Sequence, residues 1–519
     1  MRERSRRENS LFNLFSGFGY RLLSIVTAFA VRTVFILTLD SVYLGVNGLY
    51  SNILSMLSLA ELGFGSAMVF SMYQPLADKN EEKLKQLMAL YKRVYSIIGT
   101  VILGLGLALV PFLDHLIKDK PNIDNLTLYY LLFLFNSVSS YWFFAYKISI
   151  LSADQKTYVL NAYNCVFNII KTAAQIIILL LFHSFELYLV TQITCTIGQN
   201  ICASRFVSKH YPYLKTKPER ELPKQEKSKI FSDVKALMLT KISHIALSGT
   251  DNIIISAFVG ITHVGLLSNF VMISDAVTSV LCQITGAITG SLGNFFAKET
   301  KAEGYSLFKK VDFLNFWLYG FSLVAFIVLL KPLVTIWLGR GYVISDGCII
   351  WLSINFFVAG FMNTLWTFRS TLGLFVQGKY RPLICATINI GLSIILSQFW
   401  GMTGVLAATS ISRACVNLWY DPWLIHRSGF QRSVKPYYKT YIGRMILLAF
   451  IVLLMKLISN IVFYHGITIL RFVIMICVTA VLPNAIMILL YHKTDEYRYF
   501  HELVSGIFRE GKNRFLTKK

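Results

Sequence analysis

The sequence predicts an all-α membrane protein that crosses the bilayer about fourteen times. Of its 519 residues, 55% are hydrophobic and only 15% are charged, and the mean hydropathy is +0.57. A soluble protein of this size could not hide so much apolar surface beneath so few charges. The composition therefore excludes a soluble enzyme, a disordered chain and a secreted disulfide scaffold.

Apolar stretches of about twenty residues or more, the length of a membrane helix, recur along the whole chain. They are too long for porin strands and lack the alternation of such strands, so an α-helical bundle is predicted. The first stretch includes Ala28-Phe29-Ala30, which resembles a signal-peptidase site, but Arg21 interrupts it and we expect an uncleaved helix. The predicted spans are 12–39, 43–73, 93–113, 126–152, 157–182, 185–208, 231–260, 264–297, 311–338, 347–376, 380–400, 402–425, 441–463 and 468–491.

The basic residues indicate how the chain is oriented. With the N-terminus inside and the spans alternating, the inner segments hold 36 of the 50 lysines and arginines, and the outer segments hold Lys118, Lys120 and Arg340. This asymmetry predicts a multi-pass membrane protein with both termini in the cytoplasm. It also explains the net charge of +23 without a nucleic-acid partner.

The segment 209–229 is polar, basic and proline-containing, so it is predicted to be a cytoplasmic linker. It separates an N-lobe (1–208, spans 1–6) from a C-lobe (230–426, spans 7–12), which two additional spans follow (427–492). The tail 493–519 carries apolar residues at helical spacing among basic ones, which predicts an amphipathic helix on the inner membrane surface.

Two sequence echoes indicate an internal repeat. Gly48-Leu49-Tyr50-Ser51-Asn52 in the second span resembles Gly265-Leu266-Leu267-Ser268-Asn269 in the eighth, and Tyr146-Lys147 in the fourth resembles Phe368-Arg369 in the tenth. Their nearly equal offsets, six spans apart, preserve orientation and predict two parallel-repeat six-helix lobes. Transporters built this way bind substrate between the repeats.

Ionisable residues inside spans are costly and usually functional. Snorkelling to the membrane surface competes with a functional role at Lys147 and Arg369, and Arg413 could pair with Asp421. Several cations facing a central cavity suit an anionic substrate, and arginine forks fit the oxygens of a diphosphate. The predicted substrate-binding cations are Arg21, Arg32, Lys147, Lys171, Lys241 and Arg369.

Buried acids suggest a second role. Glu61, Asp251 and Asp275 could bind the proton or sodium ion that drives transport, or could be salt-bridge partners that hold one conformation. Asp251 could instead neutralise Lys241. The sequence contains no P-loop, no metal-spaced His/Cys cluster and no catalytic constellation, so we expect no enzyme activity, no catalytic residue, no metal and no cofactor.

Three segments carry a resemblance to bacterial polysaccharide flippases. They are residues 249–256 with 264–269, residues 369–382, and Ala60-Glu61-Leu62-Gly63-Phe64-Gly65. The family belongs to the multidrug/oligosaccharidyl-lipid/polysaccharide exporter superfamily. The resemblance implies a two-lobe, fourteen-helix fold that moves undecaprenyl-diphosphate-linked oligosaccharides from the inner to the outer leaflet, with Arg21, Arg32, Lys147, Lys241 and Arg369 as lumen cations.

The predicted function is therefore a flippase for a lipid-linked glycan repeat unit in capsule, exopolysaccharide or other cell-surface glycan synthesis, working by alternating access and coupled to an ion or to the membrane potential. Its predicted partners are the lipid-linked substrate, membrane lipids, and the glycan polymerase and glycosyltransferases of the same pathway. The rivals are a cation-coupled multidrug exporter of the same fold, a lipid II flippase, and a membrane glycan polymerase or ligase. Polymerases and ligases usually carry a large outer loop, whereas the outer segments here are short.

Overall fold

The structure is a computed structural model. It describes residues 6–61, 64–118, 123, 125–289, 301–374, 377–378, 380–502 and 505. Within these ranges, the side chains of residues 6–11, 14, 59–60, 233, 236–248 and 286–289 are not described. The predicted amphipathic tail falls largely outside the described residues.

Nearly all of the described chain is helical, as its composition predicts. The α-helices in chain order are α1 (Arg6–Thr38), α2 (Ser41–Leu57), α3 (Phe64–Ala77), α4 (Glu81–Leu109), α5 (Leu126–Trp142), α6 (Ala145–Ala153), α7 (Thr157–Phe182), α8 (Phe185–His210), α9 (Lys224–Phe258), α10 (Ile261–Thr289), α11 (Lys301–Leu338), α12 (Asp346–Thr371), α13 (Arg381–Leu424), α14 (Lys435–Val462) and α15 (Ile469–Tyr491).

Within the described residues, every predicted span coincides with one of these helices or with a broken pair of them, and residues 290–297 of the eighth predicted span lie outside the described residues. Among the described residues, nine helical stretches are long and apolar enough to cross a membrane, and α5 with α6, bent by 52°, would make a tenth. The predicted all-α, polytopic membrane class is confirmed. The second predicted span is broken into α2 and α3 by a 3₁₀ turn at Ser58–Glu61, whereas α13 runs through two predicted spans and kinks at Gly401, where φ is +55°.

The helices divide into two compact units, residues 1–268 and 269–519. The division lies within α10, so α9 and the first turns of α10 belong to the first unit. The lobe boundaries proposed from the linker at 209–229 stay a prediction.

In the first unit, α2 crosses the start of α10 at two glycines. A Cβ atom at Gly45 would lie 2.1 Å from the carbonyl oxygen of Ile261, and one at Gly265 would lie 2.2 Å from that of Ser41. No other residue type fits such a close approach without moving a backbone. Around this crossing, large aromatic side chains such as Tyr50, which is fully buried, fill the helix interfaces.

The core of the second unit is aromatic and encloses a buried ion pair. Phe308, Phe361 and Phe368 pack together within it. Nearby, Nη1 of Arg444 donates to Oδ2 of Asp312 at 2.6 Å, and both side chains are less than one-tenth exposed. This pair joins α11 to α14, and removing one partner would leave a buried charge at a cost of roughly 3–5 kcal/mol.

Candidate functional site

Helices α1 and α7 carry three of the predicted cations and pack side by side. Asn161 Nδ2 donates to Ser16 Oγ at 3.0 Å, and Asn168 Nδ2 donates to Thr27 Oγ1 at 2.7 Å. Because the residue numbers rise together on both helices, α1 and α7 are parallel. The two contacts are eleven residues apart on α1 and seven apart on α7, so they give the relative heights of the other side chains to within about one helical turn.

The contact nearer to Lys171 and Arg32, from Asn168 to Thr27, gives a difference in height of about 3 Å between them, and the contact from Asn161 to Ser16 gives about 9 Å. Arg21 lies about 16 Å from Arg32 along α1, three turns away on the same face. The structure thus brings Lys171 to within two helical turns of Arg32 in height, a proximity that their separation in sequence does not reveal.

The environments of these three cations differ. The Arg21 side chain is exposed, whereas Arg32 and Lys171 are half-buried. Arg32 donates from Nη1 to the Ser268 hydroxyl at 2.8 Å. Within the described part of the chain, no carboxylate lies within 4 Å of the charged nitrogens of Arg21 or Lys171.

Glu61 is held by two tyrosine hydroxyls. It ends the 3₁₀ turn that breaks the second predicted span. Oε1 accepts a hydrogen bond from Tyr95 at 2.5 Å, and Oε2 accepts one from Tyr141 at 2.8 Å. Tyr91 donates to the Tyr95 hydroxyl at 3.1 Å, which extends the network across α4. Glu61 was selected from the sequence, whereas Tyr91, Tyr95 and Tyr141 were not singled out.

A polar cavity of about 410 Å³ opens beside this carboxylate in the first unit. Helices α2, α5 and α8 and the 3₁₀ turn form its wall. The lining residues are Ser51, Leu54, Ser55, Ser58, Glu61, Phe133, Asn136, Ser137 and Gln192. The arc of serines on α2 was visible in the sequence as one helical face; Asn136, Ser137 and Gln192 were not singled out.

Lys147 is separate from the pair on α1 and α7. It lies on α6, about 9 Å from the end of that helix, whereas Lys171 lies about 21 Å into α7. Lys147 Nζ contacts the Ser208 hydroxyl at 3.2 Å and lies 5.3 Å from the centre of the Phe144 ring. These neighbours are compatible with an ammonium group that reaches toward the nearer membrane surface.

The loop that follows α6 is fixed by a hydrogen bond to the end of α8. The Tyr211 hydroxyl donates to Asp154 Oδ2 at 2.5 Å, and Lys156 pairs with the same carboxylate at 2.6 Å. Burial, then the bond to Asp154, raises the pKa of Tyr211 well above its usual range. This loop belongs to the predicted cytoplasmic end of the bundle.

Arg369 is buried among protein acceptors in the second unit. Its side chain is only 5% exposed, and Nε donates to the Leu374 carbonyl at 2.9 Å. The guanidinium also contacts the Gln377 carbonyl and lies 3.5 Å from the Asp421 carboxylate, which Arg381 joins. This geometry favours a structural role for Arg369 over the predicted contact with substrate.

The partner suggested for Asp421 from the sequence was Arg413. The structure instead brings Arg369 and Arg381 to Asp421, while Arg413 Nη1 donates to the Asn355 carbonyl at 3.4 Å. These contacts join distant segments, so helical spacing alone could not identify them.

The remaining predicted residues are more scattered. Asp251 is half-buried on α9, and the Asp275 side chain is exposed on the part of α10 that belongs to the second unit. Lys241 lies in α9, but its side chain is outside the described residues. Among the side chains that the structure does describe, no group of three or more His, Cys, Asp and Glu residues could hold a metal ion.

Comparisons by sequence identify no relative, because no family model and no curated protein matches the chain. Comparisons by structure do find similar folds. The lipid II flippase MurJ in its inward closed conformation aligns over 93% of this chain and 99% of its own, with a TM-score of 0.62 and 16% identity.

Multidrug transporters share the fold as well. An inward-facing multidrug resistance MATE family transporter of the MOP superfamily aligns over 78% of this chain and 97% of its own, with a TM-score of 0.53 and 13% identity. A variant of the Vibrio cholerae MATE transporter VcmN aligns over 81% and 98%, with a TM-score of 0.54 and 13% identity. These proteins are transporters and flippases rather than enzymes, and the chain is a multi-pass membrane protein with their fold.

Proposed function

We propose that the protein is a flippase that moves an undecaprenyl-diphosphate-linked oligosaccharide from the inner to the outer leaflet of the bacterial plasma membrane. The observation that carries the proposal is the placement of Arg21, Arg32 and Lys171 on two parallel packed helices, with Lys171 within two helical turns of Arg32 in height. In the described part of the chain, Arg21 and Lys171 have no carboxylate within ion-pair distance.

Cations inside membrane-spanning helices favour the binding of an anionic substrate, which balances their charge. A lysine or arginine at the centre of a membrane helix costs roughly 2.5–3.5 kcal/mol, so a group of them is retained for a function. A diphosphate brings at least two negative charges and oxygens that arginine can bind in a forked geometry. The polyprenyl chain of the same substrate would stay in lipid while its headgroup contacts these cations. The fold shared with a lipid II flippase supports a lipid-linked substrate.

Transport against a gradient needs a driving force. We assign the binding of a driving proton or sodium ion to one of the two predicted acids outside the Glu61 network, Asp251 or Asp275, and place substrate movement in an alternating-access cycle. The enzymes that build and polymerise the glycan would act before and after this step and are the expected partners.

Export by charge-removed variants tests the proposal. Arg21→Ala and Arg32→Ala are each expected to reduce surface glycan at least tenfold in cells depleted of the wild-type protein, at equal protein level in the membrane. Arg340→Ala, which removes an arginine from a predicted outer segment, is the matched control and should export normally. Normal export by both Arg21→Ala and Arg32→Ala would refute the proposed contact with the diphosphate.

A multidrug exporter is the second candidate function. The MATE transporters with this fold and the carboxylate in the polar cavity favour it, because an acidic site suits cationic drugs. Deletion of the gene would then sensitise cells to lipophilic cations and leave lipid-linked glycans at their normal level. The flippase proposal predicts the reverse pattern.

A further inference from the structure

The cavity beside Glu61 presents an excess of hydrogen-bond acceptors. Ser55 Oγ donates to the Ser51 carbonyl and Ser58 Oγ donates to the Leu54 carbonyl, each at 2.8 Å. These two hydroxyl hydrogens are therefore used within the chain, and the lone pairs of the Ser55 hydroxyl remain for a ligand. The Glu61 carboxylate is a further acceptor. A guest that fits this wall must bring several donors.

Asn136 gives independent support for a bound guest. Asn136 lines the cavity, and its Oδ1 atom is buried and has no hydrogen-bond partner among the described residues. A buried acceptor without a partner costs roughly 1–3 kcal/mol, and a ligand donor that met this atom after rotation of the side chain would recover that cost. The wall of the cavity therefore includes a residue with an unused acceptor.

The size of the cavity distinguishes between classes of guest. A bare monovalent cation needs a tight shell of oxygens, whereas about 410 Å³ would leave such an ion loosely surrounded. Volumes of roughly 300–1,000 Å³ are typical of sites for small organic molecules. Leu54 and Phe133 add apolar surface to the wall, as expected for a ligand with both C–H and O–H faces.

We propose that this cavity binds a sugar ring of the transported headgroup, and that Asn136 and Glu61 accept hydrogen bonds from its hydroxyl groups. The inference rests on the proposed function and deepens it, because it separates sugar recognition at α2, α5 and α8 from diphosphate binding at α1 and α7. It assigns Glu61 to substrate recognition rather than to ion coupling. The two tyrosine donors hold the carboxylate in place for that role.

Equilibrium binding to the full-length protein in lipid nanodiscs tests this separation. The probes are bare undecaprenyl diphosphate and a panel of the same lipid carrying one glucose, galactose, rhamnose or N-acetylglucosamine. At least one sugar-bearing lipid is expected to bind about tenfold more tightly than the bare lipid. Asn136→Leu should remove this preference and leave the affinity for bare undecaprenyl diphosphate unchanged.

A matched control lies on the same helix. Ser140, one turn beyond Asn136, donates to the Ser137 carbonyl within α5 and does not line the cavity. Ser140→Ala should keep the sugar preference. Unfolding midpoints of the variants, measured in parallel, establish that Asn136→Leu is folded. Because the lost acceptor has no described partner, this substitution should not lower stability.

Three results would overturn the inference. They are equal binding of every panel lipid and the bare lipid, a sugar preference retained by Asn136→Leu, and tight binding of tetraphenylphosphonium that Glu61→Gln removes. Failure of the proposed function gives a different pattern, in which neither bare nor sugar-bearing undecaprenyl diphosphate binds. Binding of the bare lipid without sugar preference would overturn only the sugar site.

Discussion

Replacing Lys171 by methionine is expected to make the protein more stable and less able to bind its substrate. Lys171 is half-buried near the middle of α7, and no carboxylate lies within ion-pair distance of it in the described chain. A lysine at a helix centre costs roughly 2.5–3.5 kcal/mol in a membrane. Because partial exposure relieves some of that cost, the free energy of unfolding should rise by about 1–3 kcal/mol.

Arg369→Met should have the opposite effects. Its guanidinium is buried and engages two backbone carbonyls and Asp421, so its removal leaves buried acceptors and part of a charge uncompensated. The cost should be roughly 3–5 kcal/mol. Lys171→Met should weaken binding of undecaprenyl diphosphate about 10- to 150-fold, the value of one lost hydrogen bond between charged groups. Arg369→Met should change binding less than about threefold.

Two measurements on the purified variants decide the outcome. At about 2 °C per kcal/mol for a unit of this size, the unfolding midpoint should rise by roughly 2–6 °C for Lys171→Met and fall by roughly 6–10 °C for Arg369→Met. The second measurement is equilibrium binding of undecaprenyl diphosphate. A lower midpoint with unchanged binding in Lys171→Met would refute the reasoning, since it would make Lys171 a structural residue.

Three further predictions concern stability. Asp312→Ala should lower the unfolding midpoint by roughly 6–10 °C, because it leaves the buried Arg444 charge without its partner. The double variant Asp312→Leu/Arg444→Met should have a midpoint close to that of the wild type, and an equal loss in both variants would contradict this cause. Gly265→Ala should reduce the amount of folded protein in the membrane, because the added Cβ would lie 2.2 Å from a carbonyl oxygen of α2. A normal yield would show that α2 and α10 can move apart at this crossing without a loss of stability. Lys227 and Arg93 hold the pKa of exposed Glu221 below its usual value, so its small contribution to stability is present above about pH 4.5 and is lost as pH falls further. Denaturation from pH 7 to 3 should therefore show a steeper acid loss in the wild type than in Glu221→Gln, and parallel curves would contradict this assignment.

The positions of the helices were predictable because the hydropathy and charge of a segment are properties of its own residues and do not depend on its neighbours in the fold. The predicted span 157–182 coincides with α7, and 185–208 falls within α8. The breaks were less predictable, since they depend on the neighbours that a helix meets. The interruption at Ser58–Glu61 is accompanied by tyrosine donors from α4 and α5, and hydropathy carries no signal for such a contact.

The candidate site was predictable in its charges but not in its contacts. Arg32 and Lys171 could be selected as cations inside spans, whereas their proximity depends on the packing of α1 against α7. Arg369 could be selected for the same reason, yet its acceptors lie in a loop and on another helix. Asn136 carries no charge, so only its buried, unpartnered oxygen in the folded chain distinguishes it from an ordinary polar residue.

The most direct test of the central claim is lipid analysis in the native host after depletion of the protein. Mass spectrometry would identify any undecaprenyl-diphosphate glycan that accumulates, and a membrane-impermeant glycan-modifying reagent would report its leaflet. The proposed function predicts accumulation on the inner leaflet, with a mass that gives the substrate. Accumulation on the outer leaflet would indicate a blocked polymerase or ligase step, and unchanged lipid-linked glycans would contradict the flippase assignment.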